Sequence, residues 1–166
     1  MRRLFRNPEK FREDQRGAAL LELTLVLPVL MTIGLGAVEF GNMLYNWHLV
    51  ANGVRDAARY AAGLQVNAAL TDAKYIALTG TLTAPGNPCT TCRVKFWNQL
   101  SQVTVTYSAV ANNDGAGNKL YRGGATIPLV TVSASVPYQS LGLLGYLGMG
   151  AQTINVSHQE RLFGIR

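Results

Sequence analysis

The sequence predicts a membrane-anchored α+β protein: one long N-terminal helix packed on a small antiparallel sheet of about three strands. Three observations carry this. From Ala18 to Val38 run 21 residues with Glu22 as the only charge. At the α-helical rise that span is about 30 Å, enough to cross a bilayer core. Between Met43 and Leu64 the apolar residues recur at helical spacing. After residue 100 the period falls to two, the mark of half-buried strands.

In chain order, residues 1–17 form a basic leader. It holds six basic and three acidic residues, so it carries half of the chain's formal charge of +6. The next stretch, Phe40 to Ala62, has only Arg55 and Arg59 as basic residues. The asymmetry places the N-terminus in the cytoplasm and residues 40–166 outside. The remaining charge is dispersed with no aromatic-studded basic face, which argues against nucleic acid as a partner.

The anchor spans residues 18–39. Its apolar run is longer than the h-region of a secretory signal peptide, although Gly34-Leu35-Gly36 resembles a small-residue cleavage site. Pro28 removes one backbone hydrogen bond, and Gly34 and Gly36 add a second point of flexibility. Glu22 admits two readings. A carboxylate in hydrocarbon is costly and usually functional. Only four residues from the helix start, it could also sit at the headgroups, favoured by the helix dipole. Tyr45 and Trp47 suit either an interfacial position or the core of the next segment.

The helix is expected to continue over residues 40–66. Met43, Trp47, Val50, Val54, Ala57, Ala61 and Leu64 form a narrow seam for packing. Asp56 and Arg59 are spaced for an i,i+3 pair, and Gly41 and Gly53 are soft points. Residues 67–166 then make an extracytoplasmic α+β domain. It opens with a short helix over 71–79, stopped by Gly80, and a loop over 81–98. Strands follow around Val103–Ala109, Val130–Tyr138 and Ile154–His158, with Asn112-Asn113-Asp114-Gly115 as a turn. Residues 140–150 are apolar and punctuated by glycine. They are expected to cover the sheet's core; the alternative is a patch presented to a neighbour or the membrane.

No motif of an enzyme is present: no Walker A sequence, HExxH or GxSxG. Neither a cofactor nor a small-molecule substrate is expected. His48 and His158 are far apart in sequence and lack evident ligand partners. Cys89 and Cys92 lack the strand–helix setting of a thiol oxidoreductase and the two further ligands that zinc requires. A structural disulfide pinning the loop is the favoured reading, and no metal site is expected.

The N-terminal arrangement resembles that of type IV pilins and pseudopilins: a basic leader, Gly17, Glu22 five residues on, then an apolar helix. The wider wording resembles the TadE-like pseudopilins of Flp/Tad (type IVb/IVc) pilus systems. It comprises Arg16-Gly17-Ala18-Ala19-Leu20-Leu21-Glu22, then Val26-Leu27-Pro28-Val29-Leu30, then Glu39-Phe40-Gly41. Arg55 to Ala62 resembles the same family's helix further on. The resemblance implies a pilin-like fold and a non-enzymatic role as a minor pseudopilin. It implies cleavage by a prepilin peptidase between Gly17 and Ala18, and assembly with other pilins and the Tad platform. Glu22, fifth residue of the mature chain, would set the registry. Leu23 stands where the major Flp pilins usually carry tyrosine, and the chain is much longer, which favours a minor component. Ala18 replaces the first phenylalanine of other pilins, so N-methylation is not implied. Two rival classes differ in kind: a permanently anchored envelope protein without processing, and a membrane-tethered thiol–disulfide oxidoreductase using Cys89 and Cys92.

Overall fold

A computed structural model describes residues 15–64, 70–146 and 148–163. The expected leader, apart from its last residues, lies outside the described residues, as do residues 65–69. The chain is α+β. Its first helix, α1, runs Gln15–Ala62 and is followed by α2 (Leu70–Thr79). A short 3-10 turn at Leu100–Gln102 leads into β1 (Val103–Ala111); β2 (Thr126–Pro137), α3 (Leu143–Tyr146) and β3 (Thr153–Arg161) complete the fold. The chain divides into two compact units after Gly41, so the last part of α1 belongs with the sheet.

Helix α1 is unbroken through Pro28. A proline here leaves the carbonyl four residues earlier without its N–H. Two threonine hydroxyls are satisfied within the helix: Thr24 Oγ1 donates to the Leu20 carbonyl at 2.7 Å and Thr32 Oγ1 to the Pro28 carbonyl at 2.8 Å. Neither hydroxyl therefore needs water, as an apolar surrounding requires. The helix stops at Ala62, two residues short of the seam's expected end. The Phe163 backbone N–H donates to the Ala62 carbonyl at 3.0 Å, so the end of the sheet satisfies one of the carbonyls a helix C-terminus leaves open.

In the second unit the buried stripe of α1 is broader than the expected seam. Val50, Val54, Ala57 and Ala61 are buried as the spacing predicts, and Asn46, Gly53, Ala58 and Ala62 join them. Small residues let a second row come into contact, which a strict 4,3 spacing misses. Trp47 is a correction: it stands 41% exposed, off the stripe. Ala73, Ala77 and Leu78 of α2 pack into the same core.

The core's largest side chain, Trp97, comes from the 81–98 loop and is fully buried. A Cβ on Gly53 would lie 2.8 Å from two ring carbons of Trp97 and closer still to the Ala77 carbonyl oxygen. Gly53 is thus a close-approach position rather than a soft point.

The sheet is an antiparallel meander in the order β1-β2-β3. Its register aligns Val103 with Ala134 and Val156, and Val105 with Val132 and His158. Alternation then puts Val130, Val132, Ala134, Val136 and Ile154 in the core. The other face carries Thr104, Thr106, Ser133, Ser135, Asn155 and Ser157, as the period-two pattern predicts. The β1–β2 connection is held by buried Asn112. Its amide donates to the carbonyls of Tyr121 at 2.9 Å and Gly124 at 3.0 Å, and its oxygen accepts the Tyr121 N–H. Asp114 organises the tip by accepting the N–H groups of Ala116 and Asn118 and the Asn118 amide, which hold its carboxyl below its ordinary pKa.

Candidate membrane and assembly segment

The first half of α1 is apolar on every side. Leu20, Leu21, Leu25, Val29, Met31, Ile33, Leu35 and Val38 are all exposed, Leu25 to 76%. An amphipathic helix would bury one stripe and solvate the other; a helix apolar all round belongs in a membrane or a large core. Exposed apolar surface this continuous is not sustained in water. Helix α1 is long and apolar enough to cross a membrane once.

Gly17, Ala18 and Glu22 lie in its opening turns, in helical backbone, and all three are exposed. Four residues separate Ala18 from Glu22, so both fall on one face about 6 Å apart along the axis. No atom lies within 4 Å of a Cβ built on Gly17 or Gly34. Pro28, Gly34 and Gly36 follow along the same helix. A second carboxylate, Glu39, is only 4% exposed. The signal for it was present: it is the first charged residue after the 21-residue run.

The boundary of the second unit is polar. Asn42 donates its amide to the Tyr138 hydroxyl at 2.8 Å, and Asn46 donates to the Asn42 carbonyl at 2.8 Å. Tyr45 is 63% exposed, and with Trp47 it faces away from the core. Both therefore fit the interfacial reading and not the core one.

Cys89 and Cys92 belong to the second unit and are joined as a disulfide with Cα atoms 5.6 Å apart. The bond closes a small ring directly before Arg93. The Arg93 guanidinium donates to the Asp56 carboxylate at 2.7 Å, and its N–H donates to the Leu78 carbonyl at 2.8 Å. This corrects the expected Asp56–Arg59 pair: the partner of Asp56 comes 37 residues later. The disulfide loop is thereby fastened to both α1 and α2. His158 also has a partner, Glu160 at 2.9 Å, on the same side of β3.

Among the described residues no group of three or more His, Cys, Asp or Glu could hold a metal ion. The hollow between α2 and the loop that follows it is lined by Tyr75, Pro85, Asn87, Asn98 and Leu100, none of them an acid–base pair.

No curated protein and no solved structure matches the chain. The model of one family, described as TadE-like protein, matches residues 17–59, which is α1 from its third residue nearly to its end; over that segment the chain is similar to TadE-like proteins.

Proposed function

We propose that the chain is a minor pseudopilin acting in the assembly of Tad pili. The observation that carries the reading is an overlap of two segments. The TadE-like match over residues 17–59 takes in the whole of the exposed apolar stretch of α1, with Gly17 and Glu22 at its start. In this reading the uncleaved chain is a single-pass protein of the inner membrane, N-terminus in the cytoplasm and sheet domain outside. A prepilin peptidase cuts between Gly17 and Ala18. The cut removes a leader of net charge +3 and creates a new amine on Ala18, one turn from Glu22. The helix then enters a bundle of like helices on the Tad assembly platform, with Pro28, Gly34 and Gly36 giving it room to bend.

Mass spectrometry of the chain extracted from membranes of cells with an active peptidase tests this directly. The expected N-terminus is Ala18. An intact leader under those conditions rules out the pseudopilin reading and leaves a permanent anchor. The oxidoreductase alternative gains no support, since the disulfide follows no strand–helix motif and abuts a structural ion pair.

A further inference from the structure

The apolar connection between β2 and β3 is not absorbed by the core. Leu141 is 65% exposed, Tyr146 86% and Met149 50%; among the described residues of the connection Leu144 packs against the core, and only in part. From Tyr138 to Ser157 the sequence has no charged residue. The connection at the other end of β2 is different: residues 112–125 include Asp114, Lys119 and Arg122. One end of the sheet is charged and the other is apolar.

The apolar end is also the one tied to the start of the second unit. Tyr138, the residue just before the connection, takes a hydrogen bond from Asn42. Asn42 follows Val38, the last residue of the apolar run, by four residues, about 6 Å of helix. The Tyr138 N–H bonds the Gln152 carbonyl at 2.8 Å and closes the base of the connection. Among its described residues, part of the backbone is self-satisfied. The N–H groups of Tyr146, Gly148 and Met149 bond the carbonyls of Gly142, Gly145 and Leu144, and that of Gly142 bonds Ser140 Oγ. Gly142 and Gly148 adopt positive φ, which permits these tight turns. An uncharged, apolar segment that bonds part of its own backbone suits a lipid interface, where fewer N–H groups are then left to water. Exposed Tyr146, with Tyr45 and Trp47 of α1, supplies the aromatic residues favoured at headgroup depth.

We propose that residues 140–150 are a second membrane contact: an apolar foot that inserts into the interfacial layer of the leaflet from which α1 emerges. The foot rests on the reading of α1 as a membrane span. It would hold the sheet domain against the bilayer before assembly, and leaving the membrane would require the foot to withdraw.

The test uses the full chain in vesicles of phosphatidylethanolamine and phosphatidylglycerol. Leu30→Cys, Tyr146→Cys and Ala116→Cys are each labelled with an environment-sensitive fluorophore, the oxidised Cys89–Cys92 pair being unreactive. Vesicles contain lipids spin-labelled either near the headgroup or deep in the acyl chain. The Leu30→Cys label should lose most of its emission to the deep quencher. The Tyr146→Cys label should lose its emission to the shallow quencher and be blue-shifted relative to Ala116→Cys, which neither quencher affects. Quenching at position 30 with position 146 behaving like position 116 overturns the foot while leaving the span intact. An unquenched label at position 30 overturns the span and the foot with it. Shielding of position 146 that disappears as protein is diluted in lipid identifies a neighbouring copy as the occupant and also overturns the proposal. Tyr146 makes too little contact for its replacement to disturb folding, and native Trp97 emission in all three variants checks that.

Discussion

Gly53 shows how one missing side chain can position a core. The Trp97 ring and the Ala77 carbonyl occupy the space a Cβ would need. Replacing this glycine by alanine gains about 1 kcal/mol of helix propensity. Forcing a methyl against a backbone carbonyl costs about 1–3 kcal/mol, because the carbonyl belongs to α2 and cannot rotate aside. Gly53→Ala should therefore be net destabilising, by up to about 2 kcal/mol. Gly41→Ala is the control: nothing lies within 4 Å of its Cβ, so it should be neutral or slightly stabilising. Urea titration of the detergent-solubilised chain compares them, followed by tryptophan emission in a Trp47→Phe background that leaves Trp97 alone. Equal midpoints for the two variants would contradict the close packing. Neither Gly53 nor Trp97 could be assigned this role from sequence. Trp97 lies in a stretch without periodicity, and its partner is 44 positions earlier. Asp56 was misread for the same reason: a partner three residues away on one helix is visible locally, whereas Arg93 is not.

At the scale of elements, what the sequence revealed followed its periodicity. The three strands were legible because one face is aliphatic and the other is Ser, Thr and Asn, with little ambiguity of register. Helix α2 was legible from its glycine stop. The broad stripe of α1 was only partly legible, since alanine is indifferent to burial and pattern alone cannot say how many alanine rows touch. The connection 140–150 was expected to cover the core ahead of forming a surface patch, because apolar residues usually go inside; the packing corrects this, with Leu141, Tyr146 and Met149 exposed. Between these elements the 81–98 loop is held by the Cys89–Cys92 bond and by Arg93. The bridged residues are three apart, so the chain-entropy model gives the disulfide about 2 kcal/mol, the low end for such bonds. Replacing both cysteines by serine should lower the urea midpoint by a corresponding amount and leave the chain folded. The loop should loosen first, which amide exchange at Arg93 and Trp97 would register. A fold lost outright would mean that the bond does more than constrain the loop; an unchanged midpoint would mean that the Arg93 contacts suffice without it.

For the whole molecule, the proposed assembly role turns on the carboxylate of Glu22. In the single chain it is exposed on an otherwise apolar helix. Within a membrane or a helical bundle such a charge needs a partner. Processing would create one, the amine of Ala18, which shares a helix face with Glu22. An amine from an adjacent subunit would serve equally, and only that choice fixes the stagger between helices. The two steps are separable by mutation. In the proposed mechanism cleavage depends on the leader and on Gly17, so Glu22→Ala should still yield a chain beginning at Ala18. Incorporation into filaments would depend on the charge pair, so the variant should be depleted from sheared pili at least about tenfold, the effect of some 1.4 kcal/mol at the interface. Glu22→Gln keeps the shape and the hydrogen-bonding atoms while losing the charge, and should behave like Glu22→Ala. Quantitative mass spectrometry of membrane and sheared fractions reads both steps in one preparation. If the glutamine variant assembles normally, shape rather than charge sets the registry. If the alanine variant does so as well, Glu22 has no part in assembly, and the helix must find its register through the apolar surface alone.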